Sequence, residues 1–71
     1  MTLTIDCEQE EDGRWLAEVL ELPGVLVYGQ TADDALARVQ ALALRVIADQ
    51  IEHNERSPQL ATIKFATATA A

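Results

Sequence analysis

Asp6, Glu8 and Glu18 are the residues whose type and spacing come nearest to chemistry. Carboxylates brought together on neighbouring strands can hold divalent cations, and two-metal nucleases use such sets to activate water. Alternation along the chain places Asp6 and Glu18 on the same sheet face. No motif fixes a histidine or further acid beside them, so solvated strand carboxylates are the expectation. His53 is the one histidine; it falls near the end of a predicted helix, where a charged imidazole favours the negative terminus. Cys7 alternates with Leu3 and Ile5 and reads as a small buried apolar residue. The chain shows no nucleophile–base pair, no metal-spaced His/Cys set and no phosphate-cradling loop. These absences point to a binding module rather than an enzyme, and no metal or cofactor is expected.

The elements that would carry these residues follow from periodicity. Residues 3–7 alternate, with Leu3, Ile5 and Cys7 on one side and Thr4 and Asp6 on the other, as in a half-buried strand. Asp12-Gly13 closes a hairpin, because glycine accepts positive φ. Residues 15–20 form a second strand, with Trp15, Ala17 and Val19 facing together and Leu16, Glu18 and Leu20 opposite. Pro23-Gly24 supplies a turn, and residues 25–28 form a third strand. Thr31 can cap a helix starting at Ala32, with Asp33 and Asp34 in its first turn and Asp34 at the capping-box position. That helix runs to about His53, its apolar stripe formed by Ala32, Ala35, Leu36, Val39, Leu42, Ala43, Val46 and Ile47. Leu44 and Ile51 flank the stripe and read as core edge, with a subunit contact as the other reading. Residues 55–58 break the helix before proline. Residues 60–66 alternate as a fourth strand, and residues 67–71 form a frayed tail.

The order is β-β-β-α-β, an α+β domain spanning residues 1–71. A right-handed crossover would lay the last strand parallel to the first, giving the spatial order 3-2-1-4. One sheet face is left uncovered, carrying Leu16 and Leu20, and large apolar groups on an open face mark a contact surface.

Twelve acidic residues against five basic ones give a net charge of −7. Such a surface repels phosphate backbones, so direct nucleic-acid binding is not expected, whereas a basic protein partner suits it. With 71 residues and three aromatic side chains, Trp15, Tyr28 and Phe65, the core must rest on aliphatic residues. Burial by a partner or a second copy would help so small a domain. A single cysteine excludes an intrachain disulfide. Without a targeting segment or an apolar run of the ~20 residues a bilayer crossing needs, a cytoplasmic location with no membrane association is expected.

Glu11-Asp12-Gly13-x-Trp15-x-Ala17-Glu18-Val19-x-Glu21-Leu22-Pro23-Gly24, followed by Tyr28-Gly29-x-Thr31 and Ala35-Leu36, resembles the N-terminal domain of HicB-family antitoxins, over residues 3–52. The resemblance implies a partial, degraded RNase H-like fold without a nuclease site. It also implies a partner: a HicA-like toxin, a small basic ribonuclease that cuts mRNA and is neutralised when the antitoxin covers it. Many family members continue into a DNA-binding domain; this sequence stops at Ala71, so promoter binding by a C-terminal domain is not expected. The function implied is that of a type II antitoxin. The alternative is a stand-alone HicB-like oligomeric protein without a toxin, and a homodimer or higher homo-oligomer is expected in either case. Face assignment makes Glu18, Tyr28, Asp33 and Asp34 the candidate polar contacts and Leu16 and Leu20 the apolar anchors.

Overall fold

The computed structural model describes residues 1–53, 55 and 62–68. The elements are β1 (Thr2–Gln9), β2 (Trp15–Val19), β3 (Leu26–Gly29), α1 (Ala32–Glu52) and β4 (Lys64–Thr67). They form one four-stranded mixed sheet in the order β3-β2-β1-β4, with α1 packed on one face. β1 pairs antiparallel with β2, and β2 with β3, while β4 runs parallel to β1. The expected α+β class and strand order are therefore observed.

The two tight connections each rest on a glycine at positive φ. Gly13 (φ +93°) closes the first hairpin, where the Glu10 N–H donates to the Arg14 carbonyl at 2.7 Å and the Gly13 N–H to the Glu10 carbonyl at 3.0 Å. Asp12 stiffens the turn by accepting from the Arg14 N–H two residues on. Gly24 (φ +88°) follows Pro23, and the Val25 N–H donates back to the Leu22 carbonyl at 3.0 Å. Proline then glycine at the two central positions is the signature of a type II turn.

The core lies between the sheet and α1. Leu3, Ile5 and Cys7 of β1 and Ala17 and Val19 of β2 meet Ala35, Val39, Ala43 and Ile47 of the helix, all buried. Ala32, Leu36, Leu42, Val46 and Ile51 pack around them, so the stripe sits where helical periodicity places it. Leu44 does not join that edge. It is 45% exposed, one step round the helix from the fully buried Ala43.

Gly29 sets how closely α1 approaches the sheet. A Cβ on Gly29 would lie 2.5 Å from the backbone nitrogen of Ala35, so a side chain there would displace the first turn of the helix. Thr31 Oγ1 accepts from the Asp34 N–H at 3.0 Å, as a capping residue should. The reciprocal bond is shifted by one residue. Asp34 Oδ2 accepts from the Gln30 N–H at 3.1 Å, one residue before the cap.

The last strand departs from expectation at both ends. It begins at Lys64, and residues 60 and 61, placed in it from alternation, lie outside the described residues. Thr67, expected in a frayed tail, pairs with Ile5. The free side of β1 holds it there: the Lys64 N–H donates to the Met1 carbonyl at 2.9 Å and the Ala68 N–H to that of Ile5 at 2.8 Å. The helix break expected at 55–58 falls mostly outside the described residues; α1 ends at Glu52, with His53 as its C-cap.

Candidate functional site

The sheet face away from α1 is built by alternation in three strands. Because Leu3, Ile5 and Cys7 point into the core, Thr4, Asp6 and Glu8 point out. The register then places Glu18 opposite Asp6, Leu16 opposite Glu8, Leu26 opposite Glu18, and Tyr28 opposite Leu16. Leu20 extends the row past the end of β2, its N–H donating to the Thr4 carbonyl at 3.0 Å. Leu20, Leu26 and Tyr28 are 53%, 47% and 39% exposed. They surround Glu18 with apolar groups on a face that none of the described residues covers.

The acidic part of this face is electrostatically unfinished. Like charges directly opposite on paired strands oppose one another, and Asp6 and Glu18 face each other with no cation of the domain in ion-pair contact among the described residues. Glu8 is next on the same side of β1. The carboxylates foreseen as neighbours are thus neighbours, and the arrangement suits a cationic side chain arriving from outside.

Arg14 and Tyr28 close one end of the face. The guanidinium carbon lies 4.1 Å from the centre of the Tyr28 ring, a cation–π contact, while Nε donates to Asp12 Oδ2 at 2.8 Å. The Arg14 backbone N–H, and after it the guanidinium, holds the Asp12 carboxyl below its ordinary range. At the opposite end, Glu21 clamps β1: Oε1 accepts from the Thr4 N–H at 2.6 Å and Oε2 from the Thr4 hydroxyl at 2.7 Å. The hydroxyl first and the N–H second lower the Glu21 pKa. Glu21 thereby occupies the position a further β2 residue would take.

Leu16, Glu18, Leu20 and Tyr28 thus share one surface. Asp33 and Asp34 do not lie on it; they belong to the first turn of α1. Asp33 is exposed. Asp34 is committed within the domain, its two oxygens taken by the Gln30 N–H and by Arg38 Nε at 3.1 Å. These bonds, the Gln30 N–H foremost, lower its pKa. Leu26 belongs to the patch although it was not singled out from sequence. Its alternation with Val27 was the available signal, obscured by the unbroken apolar run of residues 25–28.

Two further groups carry atoms able to react or to ligate. Burial, and to a lesser degree the nearby Asp6, push the Cys7 thiol up and away from the reactive thiolate. Asp49, His53 and Glu55 come within 4.8 Å of one another at the end of α1. All three are exposed, and His53 Nδ1 sits 2.8 Å from the Asp49 carbonyl oxygen, so the ring is already engaged in finishing the helix.

Comparison with protein-family models, with curated proteins and with solved structures finds no match for this chain. No helix among the described residues is long and apolar enough to cross a membrane.

Proposed function

We propose that this domain acts as an antitoxin by covering a small basic toxin of the HicA type, with the open sheet face as the covering surface. The observation that carries this reading is the combination on one face of Leu16, Leu20, Leu26 and Tyr28 with the opposed carboxylates Asp6 and Glu18. Apolar anchors supply the buried centre of an interface, and uncompensated acids select the charge of the partner. Self-association through this face would set Asp6, Glu8 and Glu18 against their own copies, which favours a basic partner over a second copy there. The HicB resemblance of residues 3–52 supplies the class of that partner. On this reading the sheet and helix are a reduced RNase H-like frame used for binding, and the protein is not an enzyme.

A homodimer belongs to the same proposal. Leu44, standing exposed on the flank of α1, offers it a surface that leaves the sheet face clear.

Co-expression with a small basic toxin encoded beside this chain tests the reading. A co-purifying complex and rescued growth are expected. Glu18→Lys should weaken the complex at least tenfold while leaving the free domain as stable or more so, since it replaces a repulsive pair with an attractive one worth about 0.2–1 kcal/mol. A toxin that binds the variant unchanged removes the sheet face from the interface. Asp33→Lys tests the helix start more cleanly than a change at Asp34, whose carboxylate also holds the helix entry.

A further inference from the structure

The chain is acidic, yet three of its five basic residues gather at one place. Arg14, Arg38 and Arg45 line two adjoining depressions that meet at Tyr28, along the outer edge of β3 and the flank of α1. Arg38 and Arg45 are seven residues apart and so lie two turns apart on one face of the helix. Arg14 and Arg38 each engage a carboxylate through Nε, and the Arg14 guanidinium also lies over the Tyr28 ring. The Arg45 side chain has no hydrogen bond or ion pair among the described residues, and it stands beside Val27, Ala41 and Leu42.

Among the described residues, the strand beneath these cations is unpaired on its outer side. The Val19 N–H donates to the Val25 carbonyl, so in the antiparallel ladder Val27 and Gly29 also turn their polar groups toward β2. By the same alternation the N–H and C=O groups of Leu26 and Tyr28 point out of the sheet. Natural edges are usually blunted by charge, proline or a bulge within the strand. Leu26-Val27-Tyr28-Gly29 carries none of these.

We propose that the edge of β3 accepts an extended, carboxylate-bearing segment of a partner protein as a fifth strand. Backbone bonds to Leu26 and Tyr28 would seat the segment. Its side chains would then alternate between the open face, beside Leu26 and Tyr28, and the α1 side, where acidic groups meet Arg38 and Arg45. Charge decides against the other obvious occupant, a second copy of β3. A two-fold pairing of this edge would bring Arg38 and Arg45 up to their own mates. Glu18 stands one strand spacing away, opposite Leu26, but on the open face, and Asp12 and Asp34 already engage Arg14 and Arg38. Arg45, on the α1 side and in no ion pair among the described residues, therefore carries the charge left for a partner. This edge borders the face assigned to the basic partner and shares Leu26 and Tyr28 with it; Arg45→Glu tests the edge and Glu18→Lys the face, so the two assignments are separable.

The test is a titration of the intact protein, followed by backbone amide resonances and hydrogen exchange. The probe is a capped hexapeptide alternating valine and glutamate, taken to about 1 mM, with its valine–lysine counterpart as control. The glutamate peptide should shift the Leu26 and Tyr28 amides and slow their exchange, and the lysine peptide should do neither. Arg45→Glu, a change at an exposed helix position, should weaken the glutamate peptide by about tenfold, the scale of one charge-assisted bond. No response at these amides, an equal response to the lysine peptide, or indifference to Arg45→Glu would overturn the proposal. So would inorganic phosphate displacing the peptide while the amides stay unprotected, which would mark a bare anion site. Concentration-dependent protection of Leu26 and Tyr28 in the protein alone would give the edge to a second copy instead.

Discussion

Glu21 shows how one side chain can stand in for a stretch of strand. Its two oxygens take both donors of Thr4, the backbone N–H and the hydroxyl, so β1 stays tied past the end of β2. Those bonds favour the ionised carboxylate, and the folded-state pKa lies below the ordinary 4.5. A depressed carboxyl pKa stabilises the folded state above the unfolded-state value, and that contribution drains away as pH falls through the folded-state value. Wild type should therefore be more stable than Glu21→Gln at pH 7, with the gap closing as pH drops below about 4.5. Urea midpoints of both proteins between neutral and acid pH measure it; a gap that does not change with pH would show the clamp to be indifferent to charge. Asp34 and Asp12 work in the same direction from an ordinary value of 3.8.

Among the elements, the junction between β3 and α1 is the least forgiving. Gly29 and Ala35 are both buried and leave no room for a methyl group between strand and helix backbone. Gly29→Ala should cost about 1–3 kcal/mol, the range for overpacking a tight core. It should also move the amide resonances of α1's first turn more than those of β1. This junction gives a physical account of why Tyr-Gly-x-Thr stands at that spacing: edge residue, close approach, cap. The elements themselves were legible in the sequence, since Leu3, Ile5 and Cys7 alternate, Thr31 caps, and Ala35, Val39, Ala43 and Ile47 repeat at helical spacing. The open face was legible in Leu16, Glu18 and Leu20 for the same reason. The arginine edge was not, because Arg14 reaches Arg38 and Arg45 only through the pairing of β2 with β3 and the packing of α1 on the sheet. Leu44 misled because its distance from the sheet depends on how far the sheet extends under the helix, which periodicity does not report.

At the scale of the whole molecule, 71 residues give little reserve. Domains of this size are stable by about 4–10 kcal/mol at the usual 0.05–0.15 kcal/mol per residue. Ile47, 2% exposed and among the largest fully buried side chains, should cost about 2–5 kcal/mol when cut to alanine. That is a large share of the total and should appear as a lower urea midpoint at unchanged slope. Leu44→Ala, outside the core, should leave the stability of the monomeric domain within about 0.5 kcal/mol, whatever it does to a dimer. A partner present at a hundred times its dissociation constant would return about 2.7 kcal/mol, enough to offset much of the Ile47 loss.

β1 lies inside the sheet only because β4 flanks it. Met1 and Lys64 are joined by a backbone bond, and the Met1 amino group donates to the Thr62 carbonyl. On a ribosome adding about 5–20 residues per second, the first strand emerges several seconds before the strand that will cover its outer edge. Until then the nascent chain presents two bare edges, at β1 and at β3, and the hairpins and helix must hold their places without the final strand. β4, made after every other element of the domain, therefore both completes the fold and ends the interval in which the β1 edge is open to a neighbouring nascent chain.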